Sequence, residues 1–212
     1  MLFETNYTMK KAEDTNQIDV WNKFILDGNL EALSQIYFKY YDLLFDYGLR
    51  HISDRQLVED VIQDIFINFI KTRKNIGIVK SLNGYLFSTF RRQLYLDFKK
   101  QKKTILTEKF PQEHFEYFKS LELNSSENED MELIYSTVKH CIGKLTDRQR
   151  EIIFLRFEKE ISYDEIALTL NISVDSCYKS TYRSIKIIRA EVEKILGKPA
   201  NIFLIFLRRL VH

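Results

Sequence analysis

The sequence predicts an all-α protein made of two small helical domains, and three observations carry that prediction. Only 6 Gly and 2 Pro interrupt 212 residues, so turn signals are scarce and long helices are the default. Hydrophobic residues make up 45% of the chain, ample for packed cores and too many for a disordered protein. Apolar residues recur at three- and four-residue spacing through two stretches, about 18–103 and 131–197, and the period weakens between them.

Residues 1–17 are polar and aperiodic, and a short helix reads from Asp19 to Gly28. Asn29 caps a longer helix in which Leu30, Leu33, Ile36, Tyr37, Tyr40, Tyr41, Leu44 and Phe45 keep helical spacing. Ser53 and Gln56 have the spacing of a capping box and open a third helix. Its apolar pairs repeat every four residues from Leu57/Val58 to Phe69/Ile70, while Asp60, Gln63, Asp64 and Asn68 occupy the other side.

Residues 74–80 read as a loop, and Ser81 caps a fourth helix running to about Lys102. Leu82, Leu86, Phe90, Leu94 and Phe98 form its buried stripe. Between 71 and 103 stand Lys71, Arg73, Lys74, Lys80, Arg91, Arg92, Lys99, Lys100, Lys102 and Lys103, opposed only by Asp97. Tyr85, Phe87 and Tyr95 are interleaved with them. Cations among aromatics are what single-stranded DNA requires: the cations neutralise phosphates and the rings stack on unpaired bases. The same pattern also describes a solvated basic face whose rings belong to the core, and spacing leaves both readings open.

Residues 104–130 read as a flexible acidic linker, with Glu108, Glu113, Glu116, Glu122, Glu127, Glu129 and Asp130 facing only Lys109 and Lys119. Ile134, Val138, Cys141 and Ile142 then mark a helix leading to Leu145. Thr146 with Gln149, and Ser162 with Glu165, have capping-box spacing and open two further helices, the second spanning 163–170. Asn171-Ile172-Ser173 is a tight turn, and Ser173 caps the last helix. There Val174, Cys177, Thr181, Ile185, Ile188, Val192 and Ile195 line one side, with Ser176, Lys179, Ser180, Arg183 and Lys186 opposite. A short helix, a tight turn and a longer helix with a small-polar-then-basic face describe a helix-turn-helix.

The chain shows little that points to catalysis or cofactors. It carries no Gly-rich phosphate loop, nucleophile–base pair or metal-ligand spacing, so no catalytic residue, metal or cofactor is expected. Cys141 and Cys177 lie on apolar stripes and read as reduced core thiols of a cytoplasmic protein. No signal peptide is visible and no apolar run reaches the ~20 residues of a membrane span, so stable membrane insertion is not expected. The net charge of +2 excludes nothing, because the charge is segregated by segment.

Several of these segments resemble one family. Leu145-Thr146-Asp147-Arg148-Gln149-Arg150-Glu151, Ser162-Tyr163-Asp164-Glu165-Ile166-Ala167, Ile172-Ser173-Val174 and Tyr182-Arg183 are similar to region four of the extracytoplasmic-function sigma factors of the sigma-70 family. Val58-Glu59-Asp60-Val61-Ile62-Gln63-Asp64-Ile65-Phe66 resembles the region-two segment that binds core polymerase. Tyr85-Leu86-Phe87 through Arg91-Arg92 and Asp97 resembles the segment that melts and reads the minus-ten element.

The resemblance implies a region-two bundle over 18–103, the acidic linker over 104–130, a region-four helix-turn-helix over 131–197 and a hydrophobic tail over 198–212. It implies that Asp60, Gln63, Asp64 and Phe66 engage the clamp helices of the largest subunit of bacterial RNA polymerase core. Lys80, Tyr85, Arg91, Arg92, Tyr95 and Lys99 would hold melted minus-ten DNA, and Ser176, Lys179, Ser180, Arg183 and Lys186 the minus-thirty-five duplex. An anti-sigma factor is a further partner the resemblance admits. Two departures stand out: Gln93 replaces a common Asn, and Ser176-Cys177-Tyr178 replaces a preferred Thr-Val-Lys.

Ile202-Phe203-Leu204-Ile205-Phe206-Leu207 in the tail is short and strongly apolar. It suits packing onto the protein's own domains, docking to a partner, or lying on a membrane surface. The rival to the whole scheme is a conventional helix-turn-helix regulator, dimeric on palindromic duplex and independent of polymerase.

Overall fold

A computed structural model describes residues 16–101, 115–117 and 129–197, and they are helical apart from short connections. The all-α expectation is borne out. The chain divides into two compact units, Met1–Ile105 and Leu106–His212. Residues 1–15, Lys102, Lys103, most of the acidic segment, the side chain of Ile134 and the tail from 198 lie outside the described residues.

In the first unit α1 spans 16–27, beginning three residues before the expected Asp19. The Tyr40 hydroxyl shares its one proton between Gln17 Oε1, in that extra turn, and Asn83 Oδ1 at 2.5 Å. The helix stops at Gly28, whose φ of +73° is the left-handed conformation that glycine adopts without penalty. Arg73 Nη1 reaches back to the exposed carbonyls there, donating to Ile25 O at 2.6 Å and Leu26 O at 3.1 Å. A cation at a helix C-terminus also opposes the helix dipole.

Helix α2 (Leu30–His51) is capped by Asn29, whose side chain accepts from Ala32 N at 2.9 Å. Helix α3 (Arg55–Thr72) corrects an expectation. Its cap is Asp54, accepting from Leu57 N at 3.1 Å, in place of Ser53. The predicted partner Gln56 turns instead to Asp60, donating to Oδ1 at 2.8 Å. A 3₁₀ turn (Arg73–Asn75) and an extended loop lead to α4 (Leu82–Gln101), where Ser81 Oγ accepts from Gly84 N as expected.

These helices close on an aromatic core. Trp21 meets Phe69 edge-on at 5.3 Å and Tyr85 at 5.7 Å, and Tyr47 meets Phe87 at 5.2 Å. Such contacts add roughly 0.5–1.5 kcal/mol each to the burial of the rings. Gly48 lets α2 approach α3 and α4, since a Cβ there would lie 2.7 Å from Val58 Cγ1 and 2.8 Å from Phe90 Cζ.

The second unit holds α5 (Glu129–Gly143), α6 (Asp147–Ile153), a π-helical turn (Phe154–Glu158), α7 (Tyr163–Leu170) and α8 (Val174–Leu196). Both predicted capping boxes are present, Thr146 with Gln149 and Ser162 with Glu165. Residues 115–117 depart from the flexible-linker expectation. Phe115 and Tyr117 are buried, with their rings 5.3 and 6.2 Å from Phe154. Phe115 N donates to Asp147 Oδ1 at 3.0 Å, and Arg150 Nε donates to Phe115 O at 3.1 Å. Two aromatic rings set among acids mark this anchor, because the unit's core needs them more than a spacer does.

Candidate nucleic-acid interface

Three surfaces emerge from these helices. On α3, Asp60, Gln63 and Asp64 are exposed at spacings of three, one and four residues, so they form one ridge. Phe66, expected beside them at the polymerase contact, is buried and packs against Tyr37 at 5.1 Å and Phe69 at 5.5 Å. Its place in the pattern explains this: Ile62, Ile65, Phe66 and Phe69 form the inner stripe of α3. Beside the ridge runs a ring ladder on α2 from Phe38 through Tyr37 and Tyr41 to Phe45, where Arg55 lies 4.6 Å over the last ring. Burial, then the charge of Glu59, pushes the Tyr41 hydroxyl above its ordinary pKa.

The second surface is α4 with the loop before it. Lys80, Arg92 and Lys99 are exposed, as are Lys71, Lys74 and Lys100. Tyr95 is half-buried with Lys99 Nζ 6.0 Å from its ring centre. Two of the expected DNA contacts are packed against the unit's own core. Arg91 is buried, at 9% exposure, because the inner stripe runs through Leu86, Phe87, Phe90, Arg91 and Leu94 and is broader than a simple four-residue repeat. Tyr85 is half-buried between Trp21 and Phe69, and burial pushes its hydroxyl pKa up.

Most rings of α4 therefore belong to the core, while its outer cations remain solvated. Asp97 is engaged by Gln93 Nε2 at 2.6 Å and Lys100 Nζ at 2.7 Å, which occupies Gln93 at the position where the family commonly has Asn. Sequence reasoning missed Ile78, which is 98% exposed in the loop among these cations.

The third surface is the helix-turn-helix. Ser162 caps α7, Asn171 closes it at φ +52°, and Ser173 caps α8 through Ser176 N at 3.1 Å. Left-handed backbone is tolerated by Asn, so three residues suffice for the turn. Helix α8 buries Cys177, Thr181, Ser184, Ile188 and Val192. Ser184 was missing from the predicted stripe, and Ile195 is exposed where burial was expected. Ser184 fits because its hydroxyl bonds back to Ser180 O at 2.9 Å, which satisfies a small polar side chain inside the helix contact. Burial pushes the Cys177 thiol above its ordinary pKa, partly offset by Arg148.

The outer side of α8 holds the predicted contacts together. Ser176, Lys179, Arg183 and Lys186 are exposed and Ser180 is half-buried. Unpredicted neighbours are Asp175, in an ion pair with Lys179, and exposed Tyr182. The Tyr178 ring centre lies 4.0 Å from that of Tyr163 with the planes tilted by 35°, and Arg156 lies over Tyr163 at 4.9 Å. Among the described residues no group of His, Cys, Asp and Glu is arranged to hold a metal, and no helix is long and apolar enough to cross a membrane.

A helical bundle with one cationic helix and a separate helix-turn-helix with outward cations define a two-module nucleic-acid-binding protein. Residues 36–104 match the sigma-70 region 2 family model, and residues 136–188 match the model of sigma-70 region 4. The chain belongs to the sigma-70 family of transcription initiation factors, which direct RNA polymerase to promoters and are not themselves enzymes.

Among solved structures it is similar to CnrH in complex with the cytosolic domain of CnrY, at 18% identity and a TM-score of 0.51, covering 85% of this chain and 97% of that one. A co-crystal structure of the sigma factor RpoE with the anti-sigma factor NepR from Bartonella quintana matches at 16% identity and a TM-score of 0.49, covering 76% of this chain and 96% of that one. No curated protein matches the chain.

Proposed function

We propose that the two units divide promoter opening between them. The α3 ridge of Asp60, Gln63 and Asp64 docks on the clamp helices of bacterial core polymerase, with buried Phe66 positioning the ridge from beneath. Lys80, Arg92, Tyr95 and Lys99 hold the melted minus-ten strand, while Arg91 and Tyr85 stiffen the helix that presents them. The outer face of α8, from Ser176 to Lys186, reads the minus-thirty-five duplex.

The observation that carries this reading is the coexistence of an exposed acidic ridge and exposed cations on neighbouring helices of one unit. A conventional regulator has no use for the first. Sigma factors recognise DNA as part of a polymerase complex, so the chain works in the cytoplasm and has no catalytic activity of its own. The complex of CnrH with the cytosolic domain of CnrY, a chain of similar fold held by a protein partner, supports an anti-sigma factor as an additional partner here.

Run-off transcription with purified core polymerase on a genomic fragment library tests the reading, comparing the wild type with Asp60→Ala/Asp64→Ala. Discrete start sites that require the protein and weaken at least tenfold in the double variant are expected. If no starts appear and the protein alone binds palindromic duplex as a dimer, the conventional regulator is correct.

A further inference from the structure

Asp175 has no task in the interface described so far. Ser173 already caps α8, accepting from Ser176 N, so the Asp175 carboxylate in the first turn gains from the helix dipole but is not needed as the cap. It holds Lys179 Nζ at 2.6 Å instead, and both side chains remain about two-thirds exposed, at 68% and 65%. With Cys177, Thr181, Ser184 and Ile188 facing inward, a rotation of 100° per residue puts Asp175 and Lys179 on the outward side, beside Tyr182 and Lys186.

In a major groove, that side of the helix faces a polyanion with one charge roughly every 1.7 Å. A carboxylate there is repelled unless it meets a hydrogen-bond donor. Phosphates offer none. The donors displayed by the major groove are the amino groups of cytosine N4 and adenine N6. Lysine beside the carboxylate needs acceptors, and guanine presents two, O6 and N7. A C·G pair therefore sets one amino donor beside two acceptors, and the Asp175–Lys179 couple sets one acceptor group beside one donor group. As a surface ion pair alone, the couple would add little to the helix.

We propose that Asp175 and Lys179 act as one reading unit for a single C·G pair of the duplex promoter element. Asp175 accepts from cytosine N4, and Lys179 donates to guanine O6 or N7. The inference rests on the assignment of α8 to duplex DNA above.

Selection of promoter duplexes from a randomised pool by holoenzyme, formed from core polymerase and the full chain, tests it. The wild type should select C·G at one position of the upstream element. Asp175→Ala should lose about tenfold of that preference at that position, with the rest of the element unchanged. Asp175→Asn should move the preference toward adenine, whose N6 and N7 suit a carboxamide, a gain that mere damage to the helix would not produce. Circular dichroism of both variants checks that α8 stays folded. Selection of the same element by wild type and both variants overturns the inference while leaving the duplex assignment intact. Selection of A·T by the wild type at the position that responds to Asp175 also overturns it. A wild-type holoenzyme that selects no upstream sequence overturns the duplex assignment of α8, and this inference with it.

Discussion

The two units are stabilised differently. The first rests on rings: Trp21, Phe24, Tyr47, Phe69, Phe87 and Phe90 are nearly fully buried, and Gly48 lets the helices close around them. The second rests to a larger extent on side chains that hook backbone. Arg150 ties Phe115 O and Leu145 O, Arg148 reaches Leu170 O, and Arg156 reaches Ile161 O. Apolar packing tolerates many solutions of similar volume, whereas each hook needs one residue type at one position. This is why the second unit spells recognisable motifs. In Leu145-Thr146-Asp147-Arg148-Gln149-Arg150, the residues Thr146 and Gln149 form the capping box, and Asp147 and Arg150 clamp Phe115 and each other. The motif is scaffold, and none of these contacts involves the face of α8 proposed to read DNA.

The contrast can be broken most directly at Phe115. Phe115→Ala removes a buried ring against Phe154 and should cost about 3–5 kcal/mol in the second unit, read by urea denaturation followed by circular dichroism. An unchanged midpoint would return residues 115–117 to the linker. In the first unit, Gly48→Ala forces a methyl group into Val58 and Phe90 and should cost roughly 1–3 kcal/mol, read as a lowered midpoint in the same assay. A neutral result would mean that α2 can shift without loss.

Ser162→Ala removes one capping hydroxyl from α7 and should cost about 1 kcal/mol; Ser162→Asn should restore most of it. The last effect concerns pH and vanishes at neutral pH. Burial, reinforced by Glu191, raises the Cys141 thiol from 9.0 to about 11. The folded state therefore favours the protonated thiol, so its contribution is fully present below pH 9 and is lost as pH rises through 11. Stability should be flat in this respect at neutral pH and decline across that window, a decline that Cys141→Ala abolishes. Alkylation of Cys141 in the native protein at pH 8 should also be far slower than in urea.

Much of the architecture was legible in the sequence because helix ends are written in local chemistry. Asn29, Ser81, Thr146, Ser162 and Ser173 all cap where their spacing predicts. Ser53 failed because its neighbour Asp54, a charged acceptor, occupies the cap. The candidate contacts were legible where exposure follows simple periodicity, as for Asp60, Asp64, Lys179 and Arg183. Arg91 and Phe66 were not, because side chains at the flank of a broad stripe are decided by neighbouring helices. Phe115 and Tyr117 were hidden for a related reason: a three-residue stretch shows no period, and only the tertiary partner Phe154 reveals their role.

The sole tryptophan gives the molecule an unequal optical signature. Trp21 is buried in the first unit among Phe24, Phe69 and Tyr85, so the intrinsic emission excited at the red edge of protein absorption reports that unit alone. The second unit, helical and without tryptophan, contributes to ellipticity while remaining dark in that emission. A single titration followed by both signals thus separates two stabilities without any label, and the same ring is a built-in sensor for events at α4, against which it packs through Tyr85.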